Sequence, residues 1–142
     1  MTSSGGVGQP TFRAVAVLVG IAIAVSIVHY VDNFTAYEAY PQSDTLPNPS
    51  ASLIAAGWFV LTPFAILGLV LLGDGRTRAA GISLAVYSGS GLVGIGHYAA
   101  GGTGDFPWWR HAHIAADIAL GVAILAVAAW LATRAPSRPA QG

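Results

Sequence analysis

The sequence predicts an all-α fold, an integral membrane bundle of four helices. Hydrophobic residues make up 54% of the 142 positions and charged residues only 8%, whereas an ordinary soluble domain carries about 25% charged residues. The mean hydropathy is +0.63. Four apolar segments each approach the roughly 20 residues that a helix needs to cross about 30 Å of hydrocarbon. The predicted helices are residues 12–34, 52–72, 79–98 and 110–133.

A single domain, residues 11–134, contains all four predicted helices. Residues 1–10 and 135–142 are expected to be disordered tails, since the first is rich in glycine and serine and the second contains two prolines. The first apolar segment is longer than the core of a signal peptide, about 7–15 residues, and no small-x-small cleavage pattern follows it. We therefore expect a retained helix and a multi-pass protein of the inner (plasma) membrane.

The arginines predict the orientation of the bundle. Only Arg110 falls at one end of a four-span arrangement, and the other end receives Arg13, Arg76, Arg78, Arg134 and Arg138. Because cytoplasmic loops carry the excess of Lys and Arg, both termini are predicted to be cytoplasmic. The same arrangement brings all four histidines to the extracytoplasmic end.

Composition also limits the partners. The chain has no cysteine, which excludes disulfides and thiolate metal sites. The formal net charge of +0 argues against nucleic acid as a partner. The lipid bilayer is the expected partner, and a homo-oligomer or a larger membrane complex is left open.

Two features bear on how the helices pack. Pro63 predicts a kink in the second helix, which either only shapes the bundle or widens a pocket beside the first helix. The third helix has small residues at four-residue spacing, namely Gly81, Ala85 and Gly89, and also Ser90 and Gly94. Such spacing lets backbones approach closely in lipid. We expect the third helix to be the central one, with this face serving internal packing or dimerisation.

Several residues near the extracytoplasmic end have a simpler interpretation than a site. Tyr30, Tyr37 and Tyr40 fit an aromatic belt at the membrane surface. Arg110 and His111 come at the start of the fourth helix, where solvent or lipid headgroups can satisfy them. We expect structural or lipid contacts for all five.

Five ionisable side chains are predicted to meet at the extracytoplasmic end. His29 with Asp32 (i, i+3) and His113 with Asp117 (i, i+4) form pairs on two helices, and His97 lies at the end of a third. Each pair either ligates a metal or combines a ligating histidine with its orienting carboxylate. Four-helix bundles build metal sites from such side chains, and these ligands suit Zn, Cu or Fe. Haem, which would need two histidines facing across the bundle, is the least favoured group.

Alternatives to a metal site remain open. The same end could bind a small ligand, for which the further candidate contacts are Asn33, Trp58, Tyr98 and Trp108. Alternatively, the histidines and carboxylates only link helices by hydrogen bonds, at about 1 kcal/mol each. The spacing matches no standard metal motif. No catalytic residue is predicted.

Three segments carry a resemblance to known membrane proteins: HYVDNF (29–34) with Tyr-Pro at 40–41, WFVLTP (58–63) and GHY (96–98). Over most of residues 12–133 the chain resembles a group of bacterial four-span membrane proteins with no assigned activity. More faintly, it is similar to the EXPERA group, which includes sterol isomerases of the emopamil-binding type and the sigma-2 receptor. That similarity implies an acid-lined cavity for a lipophilic amine or a sterol. Asp32 matches the acidic position on the first helix, whereas the second helix has no Asp or Glu to match the group's other acidic position.

Three functions follow as hypotheses. A metal site facing outward requires at least three of the named side chains within coordination reach. A lipophile-binding protein, or an isomerase in which His or Asp moves a proton, requires an apolar cavity with one or two polar groups inside it. An accessory subunit of a membrane complex requires only mutual hydrogen bonds and no cavity.

Overall fold

The computed structural model describes residues 8–45 and 47–134, and every regular element in these ranges is helical. Two single 3₁₀ turns lie in the loops between helices, Tyr37–Ala39 and Thr103–Asp105. The α-helices are α1 (Gln9–Thr35), α2 (Ala51–Gly73), α3 (Thr77–Leu92), α4 (Ile95–Ala100) and α5 (Trp108–Thr133). With α3 and α4 taken as one stretch, four segments are long and apolar enough to cross a membrane. The all-α prediction is confirmed.

The helix ends follow from local sequence. Helix α1 begins at Gln9 with Pro10 in its first turn, where a missing backbone donor costs nothing, so it includes two residues that were assigned to the first tail. The rest of that tail and residues 135–142 lie outside the described residues. Ser50 caps α2 by accepting the Leu53 backbone N–H. After α2 the chain turns through Gly75, whose φ of 73° favours glycine.

The third predicted helix is interrupted, which the sequence analysis did not anticipate. Between α3 and α4 the backbone bonds shift to three-residue spacing: the N–H of Gly94 donates to the carbonyl of Gly91, and the N–H of His97 donates to that of Gly94. A Cβ at Gly94 would lie 3.2 Å from the His29 ring, so a larger residue has little room. Since a 3₁₀ turn advances further round the axis per residue than an α-helix, the interruption redirects α4 and with it His97.

The helices form a ring in which α1 and α3 are diagonal. Helix α3 has the most extensive interfaces, with α5 and α2, while α1 packs against the same two helices and scarcely touches α3. The core contains Val19, Leu84 and Ile124, each almost fully buried. Large apolar side chains such as Phe59, which is 70% exposed, cover the outside. An apolar outer surface is what contact with lipid acyl chains requires.

Glycines set the separation of α3 and α5. A Cβ at Gly91 would lie 2.3 Å from the Asp117 carbonyl oxygen, and a Cβ at Gly81 would lie 2.6 Å from that of Ala128. Gly89, which has the same four-residue spacing as Gly81, faces open space. The small-residue pattern therefore indicated a real close approach, but one of the residues that make it, Gly91, was not in the predicted stripe.

The two ends of the bundle differ in character among the described residues. Arg13, Arg76, Arg78 and Arg134 lie near one end, where the Phe12 side chain comes within 3.7 Å of a Cβ built on Gly73. The opposite end, which we call the histidine end, holds His29, His97 and His113. It is the end at which polar side chains are buried.

We expect Gly91→Ala to destabilise the bundle and Gly89→Ala to leave it unchanged or slightly more stable. The added methyl group at residue 91 collides with the α5 backbone, and overpacking of this kind costs about 1–3 kcal/mol. At residue 89 the methyl group meets nothing within 4 Å. Thermal unfolding of the two variants in the same detergent measures the difference, and equal melting temperatures would contradict the close α3–α5 contact.

Candidate functional site

Three helix segments bring polar side chains together at the histidine end. The last turns of α1 carry His29, Asp32 and Asn33, α4 carries His97, and the first turns of α5 carry Arg110, His113 and Asp117. These side chains divide into two hydrogen-bonded groups, one around Asp117 and the other around Asp32.

The first group begins with a buried carboxylate. Asp117 Oδ2 lies 2.7 Å from His29 Nδ1, and the two residues are only 2% and 1% exposed. They meet where Gly91 allows α3 to touch the backbone of Asp117. A buried carboxylate needs a hydrogen-bonding partner of opposite charge, and His29 is that partner.

The group continues to His97. His29 Nε2 lies 3.2 Å from His97 Nε2, and Asn33 Nδ2 lies 2.9 Å from the same His97 atom. With the Asn33 amide in this orientation, its N–H can only donate, so His97 Nε2 accepts. The proton between the two rings then belongs to His29, whose Nε2 donates to His97 while its Nδ1 bonds to Asp117. We call Asp117, His29 and His97 the histidine chain.

Asp32 is the centre of the second group. Arg110 binds it in a bidentate manner, Nε at 2.8 Å from Oδ2 and Nη2 at 3.1 Å from Oδ1, and the Tyr40 hydroxyl donates to Oδ2. The guanidinium also lies about 5 Å from the ring centroids of Tyr40, Phe106 and Trp109. Burial and the bond to Asp32 raise the pKa of the Tyr40 phenol above its ordinary value, so this hydroxyl stays a donor.

His113 lies between the two groups without joining either by a hydrogen bond. Its Nε2 is 3.3 Å from Asp32 Oδ2, but neither ring nitrogen has a hydrogen-bond partner among the described residues. Its ring centroid is 5.4 Å from that of His29. His113 therefore fills space between α1 and α5 beside both groups.

The histidines and carboxylates at this end do not pair within one helix, as was expected, but between helices. His29 was paired with Asp32 and His113 with Asp117 from helical spacing, but His29 bonds to Asp117 and His113 lies nearest to Asp32. Both partners cross between helices. Helical spacing places two side chains on one face of a helix, but it does not decide whether each of them bonds to the other or to a residue of a neighbouring helix.

A pocket of about 320 Å³ opens beside the histidine chain. His29, Asn33 and His97 form its base beside the histidine chain, and Gln42, Ser43 and Asn48 add further polar side chains to the lining. Its walls are mainly apolar or aromatic and come from α1, the first half of α2, the α3–α4 junction and the segment after Tyr37, including Tyr30, Tyr40, Pro41, Leu53, Ile54, Leu61 and Val93. The volume falls at the lower end of the range of about 300–1,000 Å³ for small-molecule sites.

The four candidate ligand contacts have different positions. Asn33 lines the pocket. Trp58 donates its indole N–H to Ser26 Oγ at 3.0 Å, and Tyr98 stacks on His111 with its hydroxyl 3.2 Å from Nδ1. Trp108 is 80% exposed, as expected of an interfacial anchor. Neither tryptophan nor Tyr98 is among the residues that line the pocket.

The five candidate metal ligands do not form a complete coordination site. In residues 8–45 and 47–134, no group of three or more His, Asp or Glu side chains is arranged to hold a metal ion. The carboxylate of Asp32 is bound by Arg110, and that of Asp117 is bound by His29 Nδ1. His29 and His97 bring two ring nitrogens to 3.2 Å from each other, and His113 Nε2 lies 3.3 Å from an Asp32 oxygen that Arg110 already binds.

Sequence reasoning missed two residues of the site, Tyr40 and Arg110. Both were expected at the membrane surface, but they are only 4% and 8% exposed and complete the Asp32 group. One signal was available: a lone arginine at the end opposite the other arginines, in a chain with an aspartate predicted at that same end. Tyr37 and Tyr30 likewise line the pocket.

The comparisons with known proteins add no relative: no family model, no curated protein and no solved structure matches the chain.

We expect Asp32→Asn to lower the free energy of unfolding by about 3 kcal/mol, because it leaves the buried Arg110 guanidinium without its counter-ion. The matched control is Asp105→Asn, in an exposed position at the same end, which should change stability by no more than about 0.5 kcal/mol. Unfolding by SDS, followed by circular dichroism, compares the two. Equal stability of both variants would mean that the Asp32–Arg110 pair does not hold this end together.

Proposed function

We propose that this chain is a ligand-binding membrane protein that holds a small lipophilic molecule with a polar head in the pocket at its histidine end. The observation that carries the proposal is the pocket itself, with mainly apolar or aromatic walls and three polar side chains at its base, His29, Asn33 and His97. Most small-molecule sites have this composition, in which apolar walls supply affinity and a few polar groups supply orientation.

The hydrogen bonds around the pocket support the proposal, because they fix its polar groups in advance. His29 is held by Asp117, and His97 is held by both His29 and Asn33. Tyr40 is tied to Asp32 and so fixes the segment that forms one wall. A site whose side chains are already ordered loses less entropy on binding than one that must be ordered by its ligand.

The proposed setting is the plasma membrane, with both termini in the cytoplasm and the pocket facing outward. The distribution of arginines supports this orientation, since Arg13, Arg76, Arg78 and Arg134 lie near the end opposite the pocket. The large exposed apolar side chains on the sides of the bundle, Phe59 among them, support insertion in a bilayer. A molecule would then reach the pocket from the outer leaflet or the aqueous phase beside it.

We expect Gly57→Leu to abolish ligand binding. Gly57 lines the pocket, and a Cβ there meets nothing within 4 Å, so the leucine side chain occupies the pocket without disturbing the helix. Delipidated protein is incubated with a total lipid extract of its source membrane, and retained molecules are identified by native mass spectrometry. Wild-type protein should retain a discrete small-molecule adduct that Gly57→Leu loses.

The matched control is Gly20→Leu, because Gly20 also has open space around it but lies on the exposed surface of α1. This variant should retain the adduct of the wild type. The proposal fails if no protein retains an adduct, or if Gly57→Leu retains the same one. Either result would favour the accessory-subunit hypothesis.

A transition-metal site is the second candidate function. His29 Nε2 and His97 Nε2 are 3.2 Å apart, close to the separation of about 3.3 Å expected for two nitrogens on one tetrahedral zinc. Asp117 holds the other nitrogen of His29, as carboxylates do for ligating histidines. An ion here would replace the shared proton and take its remaining ligands from Asn33 or water.

The metal candidate predicts one bound Zn or Cu ion in the wild type and none in His97→Gln. His111→Gln is the matched control, since His111 stacks on Tyr98 away from the histidine chain. Elemental mass spectrometry after equilibration with each ion and removal of the excess gives the stoichiometry. Equal metal content in all three proteins, or none, would exclude this candidate.

A further inference from the structure

The Asn33 side chain has an unused acceptor at the pocket. Asn33 is 5% exposed and lines the pocket base. Its Nδ2 donates to His97, but its Oδ1 has no hydrogen-bond partner among the described residues. A buried carbonyl oxygen left without a partner costs about 1–3 kcal/mol. A change in χ2, the torsion about the Cβ–Cγ bond, whose preference is broad, can turn this oxygen toward the pocket, where a donor on the ligand would remove the cost.

The tyrosine hydroxyls and the His29 ring that line the pocket already have hydrogen-bond partners. The Tyr30 hydroxyl donates to the Ser90 carbonyl, that of Tyr40 to Asp32 and that of Tyr37 to the Pro49 carbonyl. Both ring nitrogens of His29 are engaged, Nδ1 with Asp117 and Nε2 with His97. A carboxylate or phosphate in the pocket would find its strongest possible donors committed elsewhere.

Charge argues against a cationic ligand as well. No Asp, Glu, Lys or Arg is among the described residues that line the pocket. The two carboxylates nearest to it, Asp32 and Asp117, are paired with Arg110 and His29. An ammonium group would lose its hydration without gaining a counter-ion, which is costly in an apolar site.

We infer that the ligand is a neutral lipophilic alcohol whose hydroxyl donates a hydrogen bond to Asn33 Oδ1. This inference rests on the proposed ligand-binding function and names its ligand class. The hydroxyl lies at the base beside His97, and the hydrocarbon body contacts Leu53, Ile54 and Leu61. Asn33 is thereby the residue that selects an alcohol over an amine, a carboxylic acid or an ether.

Four photoreactive probes test the inference. They share one diazirine-bearing aliphatic chain and end in a hydroxyl, a methyl ether, a primary amine or a carboxylic acid. Each is added at the same low mole fraction to phosphatidylcholine proteoliposomes, and cross-links to the peptide of residues 51–73 are quantified. The hydroxyl probe should label the wild type about tenfold more than the ether, since a polar site rejects an analogue that lacks the matching group.

Substitutions at Asn33 assign the selectivity to this side chain. Asn33→Leu should label equally with the alcohol and the ether, and Asn33→Asp should prefer the amine, because a carboxylate supplies the missing counter-ion. Should Asn33→Leu fail to fold, the four-probe comparison on the wild type and on Asn33→Asp still decides the question.

The outcomes test the ligand-binding function and the alcohol assignment separately. If no probe labels the wild type more than Gly57→Leu, which fills the pocket, the ligand-binding function itself is wrong. If the pocket is labelled but the four probes label it alike, or the amine or acid labels best, the function stands and the assignment of an alcohol is overturned.

Discussion

The histidine end depends on one buried hydrogen bond, that between Asp117 and His29 at 2.7 Å. Neither residue reaches solvent, and removing one partner would leave the other as a buried polar group without compensation, at several kcal/mol. Gly91 helps to bury Asp117 by letting α3 touch its backbone. The interruption after α3 then turns His97 toward the outer nitrogen of His29. A packing contact between two helices thus fixes the ring that lies at the base of the pocket.

The two carboxylates at this end serve different purposes. Asp117 is deep in the bundle and orients the histidine chain toward the pocket. Asp32, nearer the surface, binds Arg110 and Tyr40 and so ties α1, α5 and the segment after α1 to one another. Because that segment forms a wall of the pocket, the Asp32 group maintains the shape of the cavity while the Asp117 group maintains its chemistry. Each carboxylate is satisfied without a ligand, whereas Asn33, which lines the pocket, has an oxygen without a hydrogen-bond partner among the described residues.

Much of the fold could be predicted from the sequence because apolar length alone determines which segments are long enough to span a bilayer. The convergence of His29, His97, Asp117 and Asn33 followed from the same topology. Which histidine meets which carboxylate could not be predicted, because it depends on helix rotation and on the 3₁₀ turn at Gly94. Tyr40 was beyond prediction for a similar reason: its burial depends on the path of the chain after α1, which no periodic pattern specifies. Arg110 could have been found from its isolation among the arginines.

The most direct test of the account is a hydrogen-bond scalar coupling measurement by ¹⁵N NMR on histidine-labelled protein in a bilayer mimetic. We expect a nitrogen–nitrogen coupling between His29 Nε2 and His97 Nε2, and its loss in Asp117→Leu, where no hydrogen bond holds the His29 ring in this orientation. Such a result would establish that the buried carboxylate positions the ring in the pocket. Absence of the coupling in the wild type would contradict the histidine chain and remove the basis for a preorganised site.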